Sequence, residues 1–269
     1  MSGNRGASAA CPGLSVVSEL KKDILLCAHR AKEGHIASAF SILDIVWVLY
    51  DRILRFDCRQ PDWAARDRFV LSKGHASLAL YAVLAKKQFF PAEDLNTFAC
   101  HDSLLGGHPD RNKVPGVEAS TGSLGHGLPM AVGIALALRI KHSDRLVYCL
   151  VGDGECNEGS IWEACLLASH HQLNALCCIV DFNHSTDRAL DLGKLDDKFR
   201  SMGFDTVVVD GHDHEALAYA LGSGPWKKPR AVIARTVKGK GCAEMENNPA
   251  WHHRTPSDDE LVSMMKEVG

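Results

Sequence analysis

Asp153 and Asn183 are the residues from which chemistry can be read first. Asp153 stands in Gly152-Asp153-Gly154-Glu155 and Asn183 closes Asp181-Phe182-Asn183, 30 positions further on. Each follows an apolar run, Leu146–Val151 and Ala175–Val180. If those runs are neighbouring parallel strands, their tips meet beyond the carboxyl ends of a sheet, where open α/β sheets bind ligands. A carboxylate, an amide oxygen and the backbone carbonyl of Ser185 make a hard-oxygen set. It suits magnesium, which borrows its remaining ligands from water and phosphate. Gly152 and Gly154 let the backbone approach a phosphate with no Cβ in the way. A helix starting near Gly159 points its positive end at the same spot. The plainer alternative is an ordinary strand-to-helix turn with a capping Asp, and a Gly-Asp-Gly triplet alone is weak.

The histidines form a second set. His35 follows Gly34, His75 ends Ser72-Lys73-Gly74-His75, and His108 lies in Gly106-Gly107-His108-Pro109. His126 sits in the Gly122–Gly127 turn, and His252 and His253 follow Trp251. One such histidine is most simply a solvated or capping residue. Several of them, each in a turn, are harder to dismiss. Imidazole donates to phosphate oxygens and moves protons near neutral pH.

The elements that must position these residues follow from periodicity. Leu146–Asn183 reads as strand, Gly-rich turn, helix and strand, with Ile161, Ala164, Cys165 and Ala168 on the inward face of the helix. Runs that are apolar throughout suit parallel strands covered on both sides. Further strands are expected over 69–71, 206–209 and 231–234. Helices are expected over 14–32, 38–54, 76–86, 91–100, 195–202 and 214–221, with a capped terminal helix over 257–266. Another runs from Gly127 to about Lys141; its Ala131, Gly133, Ala135 and Ala137 would let it lie close against another backbone. The stretch Leu104–Thr121 has no period and reads as a functional loop. Strands alternating with helices predict an α/β fold, a doubly wound, mostly parallel sheet with helices on both faces. Residues 1–13 read as a flexible tail without a secretion signal, and 14–269 as a single domain.

Composition narrows the function. At 269 residues with 46% apolar content the chain can bury a large core. A net charge of −3 supports neither nucleic acid nor an anionic membrane as partner. No apolar stretch approaches the roughly 18 residues of a membrane span. The ten cysteines form no Cys-x-x-Cys, and Cys27, Cys149, Cys165, Cys177 and Cys178 sit in apolar segments. A reduced cytoplasmic protein without zinc or a disulfide framework is expected.

The motifs in order carry a resemblance. They are Gly34-His35; Arg66-Asp-Arg-Phe-Val-Leu-Ser-Lys-Gly-His75; Gly107-His108-Pro109; Gly116-Val-Glu-Ala-Ser-Thr-Gly-Ser-Leu-Gly-His-Gly127; Gly152-Asp-Gly-Glu155; and Trp251-His252. The Gly-Asp-Gly and Asn pair resembles the thiamine diphosphate and magnesium motif of thiamine-dependent enzymes. The whole set resembles the transketolase family, in particular the amino-terminal, diphosphate-binding subunit of split two-chain members. This implies the diphosphate-binding type of thiamine diphosphate fold, with transfer of a two-carbon ketol unit from a ketose or ketose phosphate to an aldose. It implies Asp153, Asn183 and the Ser185 carbonyl as magnesium ligands, and His75, Gly122, Ser123, Leu124, Gly154, Asn183 and His252 as thiamine diphosphate contacts. His35, His108 and His252 would line the substrate channel, with His252 or His35 as the base. Glu158 matches a glutamate of a proton network joining two cofactor sites, and is equally well read as a first-turn helix acid.

The resemblance also implies a second subunit that carries the pyrimidine pocket and the cofactor-activating glutamate, in an α2β2 heterotetramer. His126 stands where many full-length members have glutamine, and the tandem His252-His253 leaves open which is functional. Two alternatives remain at this point. One is a subunit of another two-component thiamine enzyme acting on 2-oxo acids, a decarboxylase or ketoacid synthase. The other is a non-catalytic cofactor-binding scaffold.

Overall fold

Apolar runs at regular intervals become the strands of one parallel sheet. The computed structural model describes residues 12–187, 189–222 and 224–269. Among them the strands are β1 (Arg68–Leu71), β2 (Val147–Gly152), β3 (Leu176–Phe182), β4 (Asp205–Asp210) and β5 (Arg230–Arg235). They lie in the order β1-β2-β3-β5-β4, and every pairing is parallel. Side chains alternate between two apolar layers, as a pleated strand dictates. Tyr148, Leu150, Cys177 and Ile179 enter one layer; Val147, Cys149, Val151, Cys178 and Val180 enter the other. Helices α1 (Pro12–Ala31), α2 (Ile36–Val48), α3 (Ser77–Lys86) and α7 (His214–Leu221) cover the first. Helices α4 (Gly127–Ile140), α5 (Gly159–His170) and α6 (Leu195–Ser201) cover the second. The terminal helix α8 (Asp258–Glu267) starts on a Ser257–Glu260 capping box. The doubly wound parallel expectation is therefore met.

Local departures have local causes. The expected helix over 91–100 is only a 3-10 turn, Ala92–Thr97. Ala99 then takes a φ of +56° and its N–H donates forward to Leu105 O, which ends any helical run. The helix read to Leu54 closes in a π-type turn, Leu49–Ile53. Of the four small residues expected to pack on α4, Ala131 and Ala135 face inward, while Gly133 and Ala137 are exposed. α1 begins at Pro12, inside the stretch expected as a tail over 1–13; residues 1–11 lie outside the described residues. The described cysteines are free thiols. Burial pushes those of Cys149, Cys177 and Cys178 up, so they are inert hydrophobes.

One buried polar cluster ties the first layer to the sheet edge. Asp44 on α2 accepts from His212 Nδ1 at 2.8 Å and from His214 Nε2 at 2.7 Å. Val237 N–H donates to His212 Nε2, which leaves that ring's proton on the nitrogen facing Asp44. Burial alone would raise the Asp44 carboxyl; the two histidine hydrogen bonds hold it down to about 2. A depressed carboxyl stabilises the fold above its unfolded value, 3.8, and loses that contribution as pH falls through about 2. Asp44→Ala is expected to lower the unfolding free energy by roughly 3 kcal/mol, because it strands the buried His214 ring and the partly buried His212 ring. An unchanged urea midpoint at neutral pH would show the cluster idle.

Candidate active site

The register of β2 against β3 builds the site. Gly152 pairs with Asp181, so the two strands end level. Asp153 and Asn183 then converge on one residue. Ser185 N–H donates to Asp153 Oδ2 at 3.1 Å and to Asn183 Oδ1 at 3.0 Å. Ser185 Oγ donates to Asp153 Oδ1 at 3.2 Å, and Gly154 N–H to the same oxygen at 2.7 Å. His184, at a φ of +60°, makes the turn that brings Ser185 back. The expected trio is thus brought together, with Ser185 turning its N–H and hydroxyl to the side-chain oxygens of the other two.

A layer beneath, which sequence reasoning missed, orients the amide. Asn183 Nδ2 donates to Ser41 Oγ at 2.9 Å and to Asp181 Oδ2 at 3.1 Å. Its Oδ1 is thereby turned toward Asp153. Asp181 is fully buried and also takes the Lys73 ammonium and the Ser41 and Thr236 hydroxyls. The signal was present: a carboxylate closing an otherwise apolar strand needs partners.

Glu155 is a second buried organiser. It accepts from Ser72 Oγ, from Gly125 N–H at 2.9 Å and from Gly152 N–H at 3.2 Å, while Gly127 N–H donates to Ser72 Oγ at 3.0 Å. This pins the 122–127 turn to the tips of β1 and β2. Gly74 must be a glycine here, since a Cβ would lie 2.8 Å from the Thr121 carbonyl carbon. Gly74 therefore packs against the Thr121–Gly122 backbone, and residues 122–124 are left partly exposed. The His108 ring packs on Gly122, with its Cδ2 3.2 Å from where a Cβ would be. His126 is exposed and bonds Leu124 O.

Three distant loops bring four imidazoles together. His35 lies 5.2 Å from His75, 5.5 Å from His252 and 4.5 Å from His253, centroid to centroid. Burial first, then Lys73, pushes His75 down to about 2. Burial first, then His253 and His252, pushes His35 down to about 4. Both rings are neutral at physiological pH and can accept as well as donate. Lys238 Nζ donates to His252 Nδ1 at 2.9 Å, which leaves the proton of a neutral His252 on Nε2. A cavity of about 430 Å³ opens here, lined by Asn183, Ser185, Lys238, Asn248, Pro249 and His252 among others. Its size is that of a small-molecule site. Of the tandem pair, His252 is among the lining residues, and His253 pairs with Glu33 at 2.7 Å. Glu158 is not gathered in. It is the exposed N-cap residue of α5, packed against Gly125.

The charges say what fits. Asp153 is buried with no cation paired to it among the described residues, and burial, then Asp181, raises its carboxyl. A bound divalent cation would offset both penalties. The Asp and Asn oxygens suit magnesium, and no cluster of three His, Cys, Asp or Glu among the described residues suits a thiophilic metal. Lys238 is 8% exposed and has no carboxylate partner among the described residues. Burial, then Lys73, pushes it down to about 8. An anion at the cavity would hold it charged. A diphosphate with magnesium meets both demands.

The family described as transketolase, thiamine diphosphate binding domain, matches residues 16–269. The chain belongs to the transketolase family. It is 36% identical over 255 residues to one of the named subunits of the apulose-4-phosphate transketolase of Phocaeicola vulgatus, covering 92% of this chain and 90% of that one. It is 37% identical over 242 residues to the 6-deoxy-6-sulfo-D-fructose transketolase subunit SqwG of Clostridium sp. strain MSTE9, covering 87% and 88%. The fold is similar to that of transketolase from Leishmania mexicana, with a TM-score of 0.89 at 28% identity. That match covers 97% of this chain and 42% of the solved transketolase. The cavity thus lies in the thiamine diphosphate-binding domain of a transketolase, at the carboxyl ends of the strands.

Proposed function

We propose that this chain is the diphosphate-binding subunit of a two-component transketolase, active with a partner subunit. It transfers a two-carbon ketol unit from a ketose or ketose phosphate donor to an aldose acceptor. The convergence of Asp153 and Asn183 on Ser185, beside the unbalanced Lys238 ammonium, carries the reading.

Asp153, Asn183 and the Ser185 carbonyl hold magnesium in this reading. His75, the Gly122-Ser123-Leu124 backbone, Gly154, Asn183 and His252 hold thiamine diphosphate. Thiamine diphosphate supplies the carbon nucleophile and the electron sink that ketol transfer needs. The protein's own work is binding, orientation and proton handling. His252 presents Nε2–H toward phosphate or sugar oxygens while Lys238 occupies Nδ1. His35, kept neutral by burial, is free to accept a proton from a sugar hydroxyl. In this reading His108 completes the channel wall, and Glu158, exposed at the start of α5, belongs to a proton network joining two cofactor sites.

The partner brings the pyrimidine pocket and the activating glutamate, and the assembly is an α2β2 heterotetramer. The names of the two relatives, each given as one subunit of its enzyme and matched over 88–90% of its length, support the need for a second subunit. So do the apolar side chains that α4 and α5 leave exposed: Met130, Ile140, Leu166 and Leu167. Residues 14–269 act as one cofactor-binding unit in the cytoplasm. No helix among the described residues is long and apolar enough to cross a membrane. The test is reconstitution. The purified chain is expected to show no ketol transfer alone and to gain it with its partner; turnover by the chain alone at the rate of the complex would refute the split reading.

A further inference from the structure

His252 pairs with Lys238, and His253 has a different partner. Its Nε2 lies 2.7 Å from Glu33 Oε1, and its ring stands 4.5 Å from that of His35, tilted by 38°. Both anchors are stiff. Glu33 and His35 flank Gly34, whose φ of +132° makes the bend between α1 and α2. A Cβ at Gly34 would lie 2.8 Å from Leu78 Cδ1. Across from it, the His35 backbone forms a parallel bridge with Arg254. The Arg254 guanidinium lies 4.2 Å over the buried Trp251 ring and pairs with Glu260, the residue that closes the α8 capping box. His29 adds a third tie from α1, donating to Pro256 O at 2.9 Å.

We propose that His253, anchored by Glu33, is a positioning residue for His35, holding that imidazole in the orientation in which it faces the donor sugar. This rests on the transketolase reading given above. The pair also governs when His35 takes up a proton. The groups facing His35 are His75, His108, His252, His253 and Glu33. Among the described residues only His253, of these histidines, is paired with a carboxylate. A charged His253 opposes a charge on His35, and Glu33 favours one. Removing His253 leaves His35 next to an unpaired carboxylate.

The test reads His35 directly, by NMR titration of ring-labelled histidine in the chain alone. His253→Ala is expected to raise the His35 midpoint by about half a pH unit or more, and Glu33→Gln to lower it. Both substituted side chains are about half exposed, so neither variant threatens the fold. A His35 midpoint that stays put in His253→Ala overturns the coupling. In the reconstituted enzyme, His253→Ala is expected to move the acid limb of kcat/KM to higher pH at unchanged cofactor affinity. A profile superimposable on the wild type overturns the positioning role. The titration needs no turnover. A wild-type pair that fails at ketol transfer therefore counts against the functional reading alone.

Discussion

Asp153→Asn is expected to weaken magnesium-dependent thiamine diphosphate binding by more than about a hundredfold. Loss of a residue that merely supports a metal ligand costs about 10–100-fold in affinity, and loss of the charged ligand itself exceeds that. The substitution keeps one oxygen, enough for Gly154 N–H, while Ser185 N–H retains Asn183 Oδ1 as its acceptor, so the turn survives. It also removes a carboxylate that burial and Asp181 both disfavour. A carboxyl raised in the folded state costs stability above its folded pKa, a cost relieved as pH falls through that value. The ligand-free variant should therefore be at least as stable as the wild type at neutral pH. Calorimetry with magnesium and thiamine diphosphate, paired with a urea melt, measures both effects. Wild-type affinity in the variant would remove Asp153 from the metal site.

Asp181→Asn should have the largest effect on stability, about 3–5 kcal/mol. It leaves Lys73, 3% exposed, without a counter-charge, and breaking a buried pair from one side carries that cost. It also releases the bond that turns Asn183 Oδ1 toward the metal locus, so cofactor affinity should fall with stability. Adding Lys73→Met removes the stranded charge. The double variant is expected to recover part of the lost stability without recovering affinity, since Asn183 stays unoriented. Strictly additive urea midpoints would show that Lys73 and Asp181 do not act as a pair.

The two variants differ in how visible their residues were. Asp153 ends an apolar run at a Gly-Asp-Gly turn, a pattern with a local physical meaning. Asp181 sits inside strand β3, and its partners Ser41 and Lys73 are 140 and 108 positions away. Its apolar strand marks Asp181 as a carboxylate in need of partners, but nothing local says that they come from α2, from the end of β1 and from beyond β5. Glu155 was visible only as the fourth letter of a motif. Its acceptance of Ser72 and of the Gly125 and Gly152 N–H groups appears once β1, β2 and the 122–127 turn are adjacent.

The amino-acid sequence by itself determined the parallel sheet, the inward face of α5 and the pairing of Asp153 with Asn183. These depend on side-chain period and on strand adjacency, which are short-range consequences of burying apolar surface. Tertiary structure alone decided that His252 lies at the cavity while His253 clasps Glu33, and that Asn183 presents oxygen rather than nitrogen. It also decided that His35 and His75 are neutral and Lys238 is unbalanced. Each of those outcomes depends on desolvation and on partners brought from distant segments, and both arise only when the layers close around the site.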